Sequence, residues 1–252
     1  MADFEYYIED GVGTALFNRP ARKNAFTLEM IDGWTEVLRS ARSDPAVRVL
    51  VLTGAGDAFC AGVDRESFAE LGATPLGLRS VLRDHMHRVA LALEDMDKPV
   101  IASLPGVAVG AGLDLALGCD VRIASASARF SEGYIRVGLM PGEGGCWYLP
   151  RLVGLGKALE LLLTGDFVDA AEAQRIGLIN RVVPDDELAA KTQALAAQLA
   201  GAPPVTAALI KRTVYQSLET DLRTSLDLVA SHAVVTHLTE AAAQAQASFR
   251  GE

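Results

Sequence analysis

This chain has no excess of positive charge. Its 32 acidic residues outnumber 23 basic ones and leave a formal charge of -9. Without clustered Lys and Arg there is no sequence-independent grip on nucleic acid or on an anionic membrane. Cysteine is scarce. Cys60, Cys119 and Cys146 are odd in number and widely separated, which argues against a disulfide framework and fits reduced thiols in a cytoplasm. Neither they nor the four histidines, His85, His87, His232 and His237, have the spacing of a metal site, so no metal is expected. A long run of apolar residues also fails to appear intact. Pro99 to Gly118 is long enough to span a bilayer and holds a single charge, Asp114, but two prolines, four glycines and that carboxylate fit a membrane helix poorly. The opening MADFEYYIED is acidic and has no apolar stretch, so no targeting segment is expected.

Several catalytic signatures are missing too. No G-x-S-x-G elbow supplies a hydrolase nucleophile, and no G-x-x-x-x-G-K-[ST] loop cradles a phosphate. Gly11-Val-Gly13, Gly54-Ala-Gly56 and Gly110-Ala-Gly112 each lack the third glycine of a dinucleotide fingerprint.

Alternating strands and helices are what the sequence does contain. Thr14 to Asn18 reads as a strand stopped by Pro20. Thr27 reads as the N-cap of a helix whose apolar positions are Met30, Trp34, Val37, Leu38 and Ala41, ending near Ser43. Val47 to Thr53 and Val100 to Leu104 are nearly continuous apolar, β-branched runs, as in strands covered on both faces. Val121 to Ala124 and Ile179 to Val183 are shorter strands, and after Asp185 only helical spacing remains, broken at Gly201-Ala-Pro-Pro204. The pattern predicts an α/β core over 1–184 with parallel strands, followed by a helical region over 185–252.

Two small-residue turns follow the buried strands: Ala58-Phe-Cys-Ala-Gly-Val-Asp64 and Gly106-Val-Ala-Val-Gly-Ala-Gly-Leu-Asp114. Small residues let a ligand approach the backbone, and the first N–H groups of a helix have no partner within it. If both turns face one pocket, each offers an N–H to the same oxygen, and two such donors form an oxyanion hole. Either turn alone is better explained as a tight strand-to-helix connection. Asp114 likewise has two compatible readings, as an acid near the oxyanion hole and as an anion in the first helical turn, where it offsets the helix dipole by roughly 0.3 to 1 kcal/mol.

Taken together, N-R-P-x-x-x-N-A at Asn18 to Ala25, A-F-C-A-G-V-D at Ala58 to Asp64, K-P-V-I-A-x-x-x-G-x-x-x-G-A-G-L-D at Lys98 to Asp114 and V-G-L-M-P-G-E-G-G at Val137 to Gly145 resemble the crotonase superfamily, the enoyl-CoA hydratase and isomerase family. The likeness extends through Leu162-Leu-Thr-Gly165 and Ala170 to Val183 into the C-terminal helices. It implies an α/β fold, a crotonase-type spiral of ββα units, whose C-terminal helical region packs into a homotrimer or hexamer. It implies an acyl-CoA thioester substrate, the coenzyme being part of the substrate and no other cofactor being needed, with the thioester carbonyl on the backbone N–H groups of Val63 and Ala111. Arg22 and Lys23 would lie near the CoA phosphates, and Ala25, Ala61, Gly62, Asp64 and Gly110 would line the CoA and substrate site.

The family's hydratases use two glutamates, and this chain departs from that pattern. Asp114 takes the first position and Tyr134 the second, a phenol that donates a hydrogen bond but is a poor base at neutral pH. Glu143 is the candidate for the second carboxylate, with Glu132 a weaker one. The expected activity is enoyl-CoA hydratase-like, with Asp114 as acid and base. The alternatives are an isomerase, decarboxylase or hydrolase using a single carboxylate, and a non-catalytic acyl-CoA-binding protein. The loop between Phe68 and Arg79 is expected to shape the acyl pocket.

Overall fold

The computed structural model describes residues 2–68 and 74–250. Its first unit is a hairpin, β1 (Phe4–Glu9) and β2 (Val12–Phe17), antiparallel and joined at Asp10 and Gly11, both with positive φ as a two-residue hairpin turn requires. Helix α1 (Leu28–Ser43) follows, with the Thr27 side chain accepting from the Met30 N–H at 3.3 Å as its cap. Next come β3 (Val49–Gly54), β4 (Ala58–Cys60), α2 (Arg65–Phe68), α3 (Pro75–Val81), a π-helical turn at Leu82–Met86 and α4 (His87–Glu94). The middle of the chain holds β5 (Val100–Leu104), β6 (Val107–Val109), α5 (Ala111–Leu117), β7 (Val121–Ser125), β8 (Arg129–Ser131), a 3₁₀ turn at Gly133–Val137, α6 (Gly145–Val153) and α7 (Leu155–Thr164). The remainder is β9 (Val168–Asp169), α8 (Ala170–Arg175), β10 (Arg181–Val183), α9 (Leu188–Ala200), α10 (Pro204–Ser217), α11 (Leu222–His237) and α12 (Glu240–Arg250).

The larger sheet runs β1-β2-β3-β5-β7-β10 and is parallel from β2 onward. Its central strands read as unbroken apolar runs because both faces are covered. Leu50, Leu52, Val100 and Ala102 pack into the main core with α1 and α4, whereas Val49, Val51, Ile101 and Ile123 meet Leu188, Leu195 and Ala196 of α9. Helix α9 therefore belongs to the core, although the sequence places it in the C-terminal region. Helices α10, α11 and α12 bury no residue within the chain.

The local sequence pattern does not reveal the second, four-stranded sheet. Its order is β4-β6-β8-β9, and β4, β6 and β8 are parallel. Each is only three residues long and each follows a long strand of the first sheet. Three residues carry no readable alternation, so the chain between Thr53 and Asp64 was read as a turn. This small sheet positions the site, because parallel neighbours deliver their outgoing turns to the same end.

Candidate active site

The first turn leaves β4 at Cys60 and the second leaves β6 at Val109. Their closeness depends on glycine. A β-carbon on Gly112 would stand 2.2 Å from the carbonyl oxygen of Cys60, so only glycine lets the start of α5 press against the end of β4. Gly110 has φ 52° and ψ -123°, a conformation that L side chains rarely adopt, and it turns the chain so that α5 begins at Ala111. The direction in which a β-carbon on Gly62 would point comes within 3.7 Å of the Ala111 nitrogen, which brings the Val63 and Ala111 amides into one neighbourhood. Gly62 O and Asp64 N pair with Phe26, leaving the Val63 N–H between them without a backbone partner among the described residues. Ala111, at the head of α5, is in the same state.

Beside these amides stand the acids. Asp114, one turn into α5, is 1 % exposed. Tyr134, on the 3₁₀ turn after β8, lays its ring 3.6 Å from where a Gly110 β-carbon would sit. Its hydroxyl lies 2.7 Å from Asp114 Oδ2 and 2.5 Å from Glu143 Oε2. Glu143 is 6 % exposed and belongs to the Pro141–Gly145 loop, which the π-helical turn supports from outside through Leu82 against Gly142. Glu132, at the end of β8, is 1 % exposed. The sequence-derived candidates Asp114, Tyr134 and Glu143 thus form one hydrogen-bonded group, and Glu132 adjoins it.

Proton counting constrains this group. A phenol has one hydrogen, so it donates to one carboxyl and accepts from the other only if that other is protonated. Burial pushes the Glu143 carboxyl up to about 7, helped by the charge of Asp114 and opposed by the Tyr134 hydrogen bond. Burial raises Asp114 to about 6, opposed by the Tyr134 hydrogen bond, by the adjoining Glu132 carboxyl and by the nearby backbone amides of Glu143 and Gly145. Near neutral pH the consistent arrangement has Glu143 protonated and donating to the phenol oxygen, and the phenol donating to an ionised Asp114. Burial, reinforced by both carboxylates, drives the phenol itself well above its ordinary range, so it stays neutral. The three groups together provide an acid, a base and a link between them.

This architecture has close counterparts. The sequence model of the enoyl-CoA hydratase/isomerase family matches residues 7–249. The chain belongs to that family. It is 41 % identical to the 1,2-epoxyphenylacetyl-CoA isomerase of Escherichia coli K12 over 88 % of this chain and 85 % of the relative. It is 35 % identical to the crotonyl-CoA hydratase of Syntrophomonas wolfei, again over 88 % and 85 %. Among solved structures, the enoyl-CoA hydratase of Mycobacterium smegmatis superimposes with a TM-score of 0.91 at 31 % identity, covering 100 % of this chain and 97 % of that one. The fold is accordingly the crotonase-type α/β spiral anticipated from the motifs, the pairs β3-β4, β5-β6 and β7-β8 each setting a strand of the large sheet before one of the small sheet.

Within this family frame, the residues expected at the CoA site divide into three groups. Ala61, Gly62 and Gly110 lie on the two turns. Ala25 adjoins them: its carbonyl accepts from Arg19 Nη1 at 2.7 Å, and Lys23 O accepts from Ala61 N. Asp64 is already engaged, accepting from Arg19 Nη1 at 2.8 Å and from the N–H groups of Glu66 and Ser67. Arg22 and Lys23 are exposed at the rim, paired with Glu66 at 3.0 Å and Asp57 at 2.6 Å. Two residues of the N-R-P-x-x-x-N motif were not singled out. Arg19 is the partner of Asp64, and Asn24, fully buried, donates to Ala55 O and Ala58 O and so fastens the first turn to the loop before it. Asparagine inside so tight a motif is the signal that marks such a clamp. Of the loop expected to shape the acyl pocket, 69–73 lie outside the described residues.

Proposed function

We propose that this protein moves a proton along an enoyl-CoA thioester, converting a 3-enoyl-CoA to its 2-enoyl isomer. The thioester carbonyl sits on the Val63 and Ala111 amides, where the developing enolate oxygen is stabilised by fixed donors, each typically worth roughly 3 to 4 kcal/mol of barrier. Asp114 removes the α-proton. The C–H electron pair enters the dienolate, Glu143 protonates the γ-carbon, and the 2,3-double bond forms. The proton on Asp114 then passes through the phenol of Tyr134 to Glu143, restoring both groups without solvent. CoA serves as the handle of the substrate, with Arg22 and Lys23 placed at the rim for its phosphates, and no further cofactor takes part.

The observation that carries this reading is the position of the Tyr134 hydroxyl, in contact with both carboxyls. Hydration uses two carboxylates to hold one water, and here the phenol oxygen fills the place between them. Hydration is the second reading. Support for it comes from the acidic residue at the first glutamate position and from relatives that carry hydratase names. Incubation with a 3-enoyl-CoA and with crotonyl-CoA in deuterated water separates the two. Double-bond migration with little uptake of solvent deuterium, lost in Asp114→Asn, is the expected result. Water addition without migration establishes the hydratase, and equal activity in Asp114→Asn removes Asp114 from the mechanism.

The same reading includes self-association and location. Exposed Ile210, Val214, Leu222, Leu226 and Val229 lie on α10 and α11, the helices that bury nothing within the chain. They suit a homotrimer, or a hexamer built from two, which sedimentation will distinguish from a monomer. Among the described residues no helix is long and apolar enough to cross a membrane. The unpaired Cys60, Cys119 and Cys146 suit a cytoplasmic setting.

A further inference from the structure

Glu132 plays no part in the proton path just described, yet it is the most conspicuous polar side chain in the interior. It is 1 % exposed, and neither carboxyl oxygen has a hydrogen-bond donor. It borders a void with no room for a water molecule, lined mostly by apolar groups such as Leu113, Phe130 and Leu149, with Ser131 and the acidic Asp166 also on its wall. The titratable groups that face it are Asp114 from α5, Glu143 from the loop, Cys146 from α6 and the neighbouring Tyr134; none is cationic. An ionised carboxylate here would have neither solvent, donor nor counter-ion, an arrangement costing far more than neutralisation. Burial and the charge of Asp114 accordingly drive its pKa well above the ordinary carboxyl range.

A neutral carboxyl has one O–H to give. Asp114 lies within hydrogen-bonding reach of Glu132. Its Oδ2 is occupied by Tyr134, while its Oδ1 is buried and makes no hydrogen bond, although the Glu143 and Gly145 amides lie near the carboxyl. The two deficiencies cancel if the proton of Glu132 is donated to Asp114 Oδ1.

We propose that Glu132 is a permanently protonated carboxylic acid that donates to Asp114 Oδ1 and is a positioning residue for the base. It fixes the Asp114 carboxylate from the side opposite Tyr134 and favours its ionised form within a dry interior. Each Asp114 oxygen keeps a second lone pair for the substrate proton. The role rests on Asp114 being the base of the proposed reaction.

Infrared difference spectroscopy of the whole protein tests the protonation state without reference to turnover. At about pH 9 Asp114 and Glu143 are ionised, so a carboxylic C=O band that persists there and disappears in Glu132→Gln is the expected result. A missing band overturns the proposal, and the band reports the protonation state of Glu132 whichever reaction the site performs. Kinetics of double-bond migration test the positioning. Glu132→Gln retains an N–H donor and is expected to keep kcat within about threefold. Glu132→Met, close in volume but without a donor, is expected to lose about tenfold or more in kcat at nearly constant KM. Its acid limb should also move up by about one pH unit. An unmoved acid limb in Glu132→Met, or a Gln variant as impaired as the Met variant, overturns the role. If Glu132→Met does not fold, the infrared comparison with Glu132→Gln still decides.

Discussion

A β-carbon on Gly145 would stand 2.4 Å from Oδ1 of Asp114. Asp114 has a short side chain held by Tyr134 and almost fully enclosed, so it has little room to retreat. Gly145→Ala is therefore expected to displace the carboxylate by a fraction of an ångström. A cost of about 10- to 100-fold in kcat follows, with acyl-CoA affinity little changed. Steady-state kinetics alongside calorimetric CoA-ester binding check this. Equal losses in kcat and affinity would show that the whole pocket, not the base alone, had shifted.

The acid–base assignment fixes the pH dependence. Activity requires Asp114 ionised, which is lost as pH falls through about 6, and Glu143 protonated, which is lost as pH rises through about 7. The rate profile is expected to be a narrow bell centred between those values, its limbs being properties of the coupled group. A profile that rises through pH 7 to a plateau at pH 9 contradicts the assignment of Glu143 as the acid.

Glu143 also links activity to stability. Its carboxyl holds a proton more tightly folded than unfolded, so stability declines as pH rises from about 4.5 to about 7. Glu143→Gln removes that penalty. The variant is expected to be more stable than the wild type at pH 8, by at most about 3 kcal/mol, and no more stable at pH 4. Its turnover should nonetheless be reduced by about 100-fold or more. Urea titrations at the two pH values give the comparison.

Tyr134→Phe deletes the bridge and leaves both carboxyls in place. The phenol hydrogen bonds hold both pKa values down, so the acid limb of the profile is expected to move up. Internal return of the proton from Asp114 to Glu143 is also broken. Product formed in deuterated water should therefore carry more solvent deuterium than the wild-type product. Unchanged deuterium content in Tyr134→Phe argues against a relay through the phenol.

Helix α1 and the long strands were legible in the sequence because their signals are local: Thr27 ahead of an apolar stripe, and unbroken runs such as Val49 to Thr53. Asp114 could be placed from its spacing after Gly110 and Ala111. The contact between Tyr134 and Glu143 could not, since it arises where the 3₁₀ turn and the Pro141–Gly145 loop meet across a glycine-lined gap. The short strands β4, β6 and β8 were missed for the same reason. Three residues form a strand when a neighbour stands ready to pair, and only the assembled chain supplies that neighbour. Arg19 was hidden likewise, its partner Asp64 being 45 residues away.

The donors offered by Val63 and Ala111 belong to peptide bonds, and every residue type except proline carries the same group. A point substitution at either position therefore leaves the amide where it was, so long as β4 and β6 stay paired. Selection acting on this scaffold meets two very different kinds of site. In the proposed reaction the grip on the thioester is insensitive to side-chain identity, while the fate of the proton depends on four side chains: Asp114, Tyr134 and Glu143, with Glu132 positioning the first. A descendant of this chain can exchange those few groups and acquire a new reaction while keeping the old class of substrate.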